Sequence, residues 1–463
     1  MHQTQASGRK ASSCLGFLLR FVKHFAPGAA LALGALALPA LAQAPASTGP
    51  GLAAADTINR ADTVWVMVST ALVVLMTLPG IALFYGGMVR RFNVINTLAS
   101  VVAIAALVSL LWFALGYSLA FTPGGAAGAF IGGFERIGFS GLEFLGSAGQ
   151  VAVSHVAPHL PESVFAMFQL SFAVITCALV VGALVERMKF GALLGFMGLW
   201  LVLVYAPIAH WVWEPGGWLA QLGALDFAGG AVVHINAGAA ALVCAYALGP
   251  RQGYGREPFL PFNLGLTMAG TGLLWVGWFG FNGGSALAAD GRAGLAIAVT
   301  HIAAAAGALA WMAAEWWARK RATLLGLCSG VVAGLVAITP AAGFVGPRAA
   351  LAIGVLAGLA CYWGATGLKR LLRADDSLDV FGVHGVGGLV GAILTGVFAD
   401  PAIGGASGSV LTQLIACVAV LAYSLVMTTL VLFIVSRFAG LRVREGEERQ
   451  GLDLSLHNEK LGG

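Results

Sequence analysis

Two stretches decide how this chain folds: Asp226-Phe-Ala-Gly-Gly-Ala-Val-Val-His234 and, 150 residues later, Asp376-Ser-Leu-Asp-Val-Phe-Gly-Val-His384. Aspartate, histidine and a following glycine, Gly238 or Gly388, keep the same offsets. A second pair, Phe84-Tyr85-Gly86-Gly87 and Phe281-Asn282-Gly283-Gly284, repeats at similar places in the apolar pattern. These stretches read as matching parts of two copies of one unit. Chance likeness in glycine-rich apolar sequence is the competing reading.

The medium around the repeat follows from composition. Of 463 residues, 59% are hydrophobic and 10% are charged, against about 25% charged in an ordinary soluble domain. Mean hydropathy is +0.88. That balance excludes a soluble enzyme, a nucleic-acid-binding protein and a disordered chain. It predicts an all-α polytopic membrane protein, and the 65 glycines suit helices packed backbone to backbone in lipid. Six cysteines, Cys14, Cys177, Cys244, Cys328, Cys361 and Cys417, form no CxxC and read as isolated thiols, with no metal site implied. No P-loop sequence occurs to drive pumping with ATP.

A span needs about 20 mostly apolar residues. Eleven such runs are predicted, near 62–85, 94–121, 162–185, 191–213, 226–248, 261–283, 293–317, 323–341, 348–370, 379–399 and 408–436. Ahead of them, Arg9, Lys10, Arg20 and Lys23 precede an apolar stretch and Ala42-Gln43-Ala44. This order predicts a cleaved signal peptide over 1–44, with an uncleaved first helix as the alternative. The transport domain is expected over 45–437 and a charged tail over 438–463. With Asp62 outside, 17 Lys and Arg fall on the inner side of the spans and four, Arg60, Arg136, Arg292 and Arg348, on the outer. The bias predicts an inner-membrane protein with the mature N-terminus outside and the C-terminus in the cytoplasm.

Spans 1–5 and 6–10 carry the two copies of the repeat. Five is odd, so the copies are inverted in the membrane. Asp226 then stands at the outer end of span 5, and Asp376 with Asp379 at the inner end of span 10. Each histidine lies eight residues past its aspartate, about 12 Å along a helix. In a core about 30 Å thick, His234 and His384 approach the midplane from opposite sides.

Ionisable groups at that depth usually mark a path or a partner. A satisfied interhelical hydrogen bond is the bland reading of an intramembrane histidine, and ligation of a haem a third. The shared depth favours function for this pair. His301 has no mate in the repeat and reads as structural. His210, near an outer helix end, reads as interfacial. Asp226 reads as a helix cap and also as a carboxylate that attracts a cation, two roles that can hold together. Phe168 and Phe172 share a helix face, as do Trp278 and Phe281.

At these residues the sequence resembles the ammonium transporter, methylammonium permease and Rhesus family, on its bacterial ammonium transporter side. The matching motifs include Pro79-Gly-Ile-Ala-Leu-Phe-Tyr-Gly-Gly87, Phe168-Gln-Leu-Ser-Phe172, Gly182-Ala-Leu-Val-Glu-Arg187 and Leu225-Asp-Phe-Ala-Gly-Gly230 with His234-Ile-Asn236. They continue with Gly277-Trp-Phe-Gly-Phe-Asn282, Asp379-Val-Phe-Gly-Val-His384 and Gly451-Leu-Asp453. The resemblance implies eleven transmembrane helices with an inverted five-helix repeat, a homotrimer with one pore per subunit, and no cofactor. It implies that Phe172, Trp213 and Ser285 bind ammonium or methylammonium in an outer vestibule, with Asp226 essential nearby. Phe172 and Phe281 match a stacked gate, and His234, His384 and Trp278 match the pore lining. The tail resembles a segment that meets PII signal-transduction proteins. Two departures stand out: Asn458 follows His457, and Glu214-Pro215 follows Trp213, where glycines are usual in the family. A transporter is therefore expected, not an enzyme. An ammonium sensor working through a separate partner is the alternative, and a Rhesus-like gas channel a third reading.

Overall fold

The computed structural model describes residues 49–462; the expected signal segment, 1–44, lies outside the described residues. Among the described residues, ten helices are long and apolar enough to cross a membrane. They are α1 (Arg60–Met88), α2 (Arg91–Phe121), α3 (Glu162–Leu184), α4 (Phe190–Gln221), α5 (Gly230–Leu248), α6 (Leu264–Gly284), α7 (Gly291–Arg319), α9 (Pro347–Leu372), α10 (Phe381–Phe398) and α11 (Val410–Phe438). The element in the place of the eighth expected run, α8 (Leu324–Ile338), has only 15 residues. It reaches about 22 Å and stops just ahead of Pro340, which cannot continue an α-helix. Every residue from Gly330 to Ile338 in α8 is buried, so protein rather than lipid surrounds that half of the helix. The bundle thus has eleven helical elements, of which ten meet the length of a span.

α5 and α10 are shorter at their starts than the sequence suggests. Asp226 and Asp379 both lie in the connections ahead of the helices. α5 opens on a π-turn at Gly230–Ile235 and α10 on one at Phe381–Gly385. Each π-turn carries its repeat's histidine, and such turns concentrate at functional sites because they re-aim a side chain. This shared irregularity supports the repeat read from the sequence.

The two copies meet without side chains between them. A Cβ on Gly238 would run into the backbone of Gly385, and one on Gly388 would stand 2.8 Å from the Gly230 carbonyl oxygen. The repeated glycines are therefore the contact between α5 and α10, as expected where small residues let helix backbones approach in lipid.

The face carrying residues 122–160 departs from a purely helical reading. β1 (Gly51–Ala54), β2 (Phe144–Leu145), β3 (Gln150–Ser154) and β4 (Ala157–Pro161) form a small antiparallel sheet with β3 inside it. Arg136 anchors the loop by an ion pair at 2.9 Å with the fully buried Glu162, which also accepts the Tyr117 hydroxyl at 2.9 Å.

The opposite face carries the tail. There α12 (Glu445–Gln450) and α13 (Leu452–His457) fold back onto the bundle. Gly451 turns at φ 97°, a region that favours glycine, and lies against Phe92. Asp453 accepts the Asn96 N–H at 2.8 Å, and Asn93 accepts the Leu452 N–H at 2.9 Å. Thus the Gly451-Leu-Asp453 motif docks the tail on the start of α2. On the same face a buried ion network ties the repeats: Arg187 and Arg251 each reach Asp375 at 2.9 Å, and Arg251 reaches Glu186 at 2.9 Å.

Burial alone would raise the Glu186 carboxyl, but Arg251 and Arg90 hold it below the usual glutamate range. Asp375 is likewise lowered, burial being outweighed by its bonds to Arg251 and the charge of Arg187. Both folded values are depressed, so their stabilisation is present above the unfolded carboxylate range, about pH 4, and is lost as pH falls through the folded values. Scanning fluorimetry in detergent should show a Tm that holds from pH 7 to about 5 and declines below about 4. Asp375→Asn should flatten that decline while lowering Tm at neutral pH. Separately, Gly238→Val should destabilise by about 1–3 kcal/mol or more through overpacking, whereas Gly191→Ala, with nothing around its Cβ position, should leave Tm nearly unchanged.

Candidate functional site

The site begins where α5 begins. Asp226 is 8% exposed, and its carboxylate accepts four backbone N–H groups: Gly229 and Gly230 on Oδ1 at 2.9 and 2.6 Å, Ala231 and Val232 on Oδ2 at 2.8 and 3.1 Å. These are donors that a helix N-terminus otherwise leaves unpaired. Gly229 at φ 110° makes the turn possible. Of the two readings of Asp226, the structure displays the cap. The cation in contact with it is the positive end of the helix itself.

The backbone around Asp226 then places an aromatic ring. Trp213 Nε1 donates to the Asp226 carbonyl oxygen at 2.9 Å. The indole stands edge-on to Phe172, centroids 5.7 Å apart at 90°. Phe172 stacks on Phe281 at 4.2 Å and 21°, and Phe168 abuts Phe172 edge-on at 5.0 Å. Phe172 is 1% exposed and Phe281 fully buried, so the stacked pair is sealed from solvent beside Trp213. Ser285 caps the end of α6, and its hydroxyl donates to the Phe281 carbonyl at 2.8 Å. Its lone pairs stay available to accept a hydrogen bond.

Below the gate the rings continue. His234 is 6.2 Å from Phe281 and stacks on Trp278 at 5.5 Å and 17°. His384 faces His234, centroids 5.3 Å apart at 19°, with Nδ1 to Nδ1 at 3.2 Å. Both imidazoles are buried, and His234 Nε2 has no partner. A bond between two Nδ1 atoms forces one ring to donate and the other to accept. The two Nε2 atoms therefore have opposite character, one acceptor and one N–H donor. The direct contact also leaves no space for an iron between the rings, which argues against the haem reading.

The structure thus brings every predicted site residue into one column: Trp213, Phe172, Phe281, His234 and His384, with Ser285 and Asp226 at its mouth and Trp278 at its side. Sequence reasoning missed three supports. Thr339 accepts the Trp278 N–H at 2.8 Å and fixes that ring. Gln413 on α11 clamps Leu225, accepting its N–H and donating to its carbonyl, both at 2.8 Å, and also donates to Ala392 at 3.0 Å. Pro340 accepts the Phe227 N–H at 3.1 Å. A glutamine in an otherwise apolar run was the one available signal.

Two other readings change. His210 is fully buried rather than interfacial, its ring nitrogens 3.0 and 2.7 Å from the Ala120 and Gly128 carbonyl oxygens. Glu214, the departure after Trp213, is buried and bonds His155 at 2.8 Å and the Gly216 N–H. It pins the β3–β4 turn to α4 beside Trp213. Asp226→Ala removes four hydrogen bonds to a carboxylate and should cost about 2 kcal/mol or more, read as a fall in Tm.

Comparison with known proteins follows the same pattern. The model of the Ammonium Transporter Family matches residues 64–461. An ammonium transporter of Bacillus subtilis is 48% identical over 412 residues, 87% of this chain and 98% of that protein. Ammonium transporter Amt1 of Archaeoglobus fulgidus is 42% identical over 402 residues, 85% of this chain and 97% of that protein. Among solved structures, Saccharomyces cerevisiae Mep2 superposes with a TM-score of 0.76 at 38% identity, covering 84% of this chain and 91% of Mep2. A sensor Amt protein superposes at 0.77 with 28% identity, covering 86% of this chain and 98% of its own.

Proposed function

This chain belongs to the ammonium transporter family, and on that premise we propose how its ring column moves ammonium across the membrane. Ammonium and potassium are similar in size, but only ammonium donates hydrogen bonds and can lose a proton. A bare cation in an apolar bore costs tens of kcal/mol by the Born estimate. Losing the proton removes most of that cost.

The residues divide the task. Trp213 and Phe172 present ring surface to a cation, about 0.5–2 kcal/mol per contact, and Ser285 accepts one of its N–H groups. The Phe172–Phe281 stack blocks hydrated ions. Asp226 acts through structure: its cap holds Trp213, and its charge adds to the negative potential of the vestibule. Ammonium loses its proton at the gate, and ammonia passes Phe281 to the histidines. There the acceptor Nε2 takes a hydrogen bond from ammonia and the donor Nε2 gives one. When the acceptor Nε2 takes up the proton that ammonium gives up, the shared Nδ1 proton shifts to the other ring and that ring's Nε2 releases its own, so the two characters exchange. This lets a proton follow through the pair, and proton-coupled uptake is the reading we favour.

The observation that carries this reading is the 3.2 Å contact between His234 and His384 beneath a closed phenyl stack. The family resemblance supports a homotrimer with one pore per subunit. The charge bias supports a tail face on the cytoplasmic side of a bacterial inner membrane. The domains we propose are a cleaved signal peptide over 1–44, a transmembrane transport domain over 45–437 and a cytoplasmic regulatory tail over 438–463. Docking of that tail on α2 and on the connection after α5 gives a PII-type partner a surface from which to act on the bundle.

Radiolabelled methylammonium uptake in cells lacking other ammonium carriers is the test. The wild type should accumulate the label. Asp226→Ala should reduce uptake at least tenfold, and His234→Ala should abolish it or change selectivity. Binding without accumulation would support the sensor reading, and wild-type transport by His234→Ala would remove the histidine from the path. Ammonium addition to proteoliposomes should evoke a current; full transport without one would make the pore a neutral ammonia channel.

A further inference from the structure

The two repeat-related aspartates are not equivalent. Asp226 gives both oxygens to four N–H groups. Asp376, 3% exposed, accepts the Phe381 N–H on Oδ2 at 2.7 Å, while Oδ1 is buried without a partner. The reason is local. Asp379 adopts φ 57° and inserts a turn, its N–H reaching the Asp376 carbonyl at 3.3 Å. That turn sets Asp376 back from the start of α10, and only part of the helix end comes within reach.

An unpartnered carboxylate oxygen at such depth is costly, and its surroundings indicate what offsets the cost. Asp376 lines a small cleft with Lys369, Asp379, Phe381, Gly382 and Leu242. Phe381 is one turn ahead of His384. Leu242 is two turns past His234, about 12 Å towards the tail face. The cleft therefore lies between the two histidine-bearing helices, at the tail end of the column. It already holds one ammonium group, the Lys369 head, whose Nζ is 2.7 Å from Asp379. Burial pushes the Asp376 carboxyl up to about 6, while the charge of Lys369 pulls it the other way, and one of its oxygens is unused.

We propose that Asp376 is a binding carboxylate for the substrate cation at the tail-face mouth, where Oδ1 accepts an N–H of ammonium or methylammonium beside the Lys369–Asp379 pair. It is a second cation site, distinct from the aromatic vestibule and selective for small hydrogen-bond donors. Lys369 competes for it. The proposal rests on the transport reading above, with the tail face in the cytoplasm.

Methylammonium uptake into inside-out and right-side-out membrane vesicles separates the two mouths. For Asp376→Asn, the KM from the tail side divided by the KM from the vestibule side should rise about tenfold over wild type, the weight of one hydrogen bond to a charged group. Lys369→Gln removes the competing cation and should lower the same ratio several-fold. That variant keeps the proposal open to refutation if Asp376→Asn does not fold. An unchanged ratio in folded Asp376→Asn, or an unchanged or higher ratio in Lys369→Gln, overturns the site. A wild type that transports from both sides with those results refutes only this proposal. A wild type that never transports methylammonium refutes the transport reading.

Discussion

A single hydrogen bond between two imidazoles fixes the distance at which the halves of this protein meet. His234 and His384 sit on different copies of the repeat, and their Nδ1 atoms are 3.2 Å apart. Rings that short can meet only if the helices behind them nearly touch. Gly238 against Gly385, and Gly388 against Gly230, supply that approach. A methyl group at either crossing would part the rings. The packing rule for helices in lipid, small residues at the contact, is here also the rule that assembles the site.

Around that bond the outer part of the column follows from satisfying backbone groups. α5 starts inside the protein, so its free N–H groups need partners, and Asp226 supplies four. The turn that brings the carboxylate back to the helix exposes the Asp226 carbonyl to Trp213. A requirement of helix termini thus sets the orientation of a vestibule ring. Gln413 and Pro340 hold neighbouring backbone groups in the same connection. Loss of any of these would disturb the rings without touching a substrate.

Much of this was legible in the sequence, because lipid leaves few choices. Apolar runs, the distribution of Arg and Lys, and aspartate-to-histidine spacing carried the bundle and the meeting of the two histidines. What escaped depends on tertiary partners. The sheet at 144–161 is short and glycine-flanked, with little alternation to betray it. α8 looked like a full span because the apolar run continues through Pro340 after the helix has ended. His210 looked interfacial because nothing local reveals carbonyls contributed by Ala120 and Gly128. Asp226 could be a cap or a cation ligand from its position alone; only the direction of its oxygens distinguishes them. The likeness between Asp226 and Asp376 concealed a difference in their hydrogen bonding that arises from one residue, Asp379, in a left-handed conformation.

The repeats are also fastened to each other at both faces, by Gln413 and Pro340 on one side and by Arg187, Arg251 and Asp375 on the other. A carrier that rocks one half against the other would have to tear buried ion pairs in every cycle. On the proposed mechanism the scaffold stays still, and passage asks only for the displacement of two phenyl rings. On that mechanism no part of the frame has to swing back before the next ammonia enters.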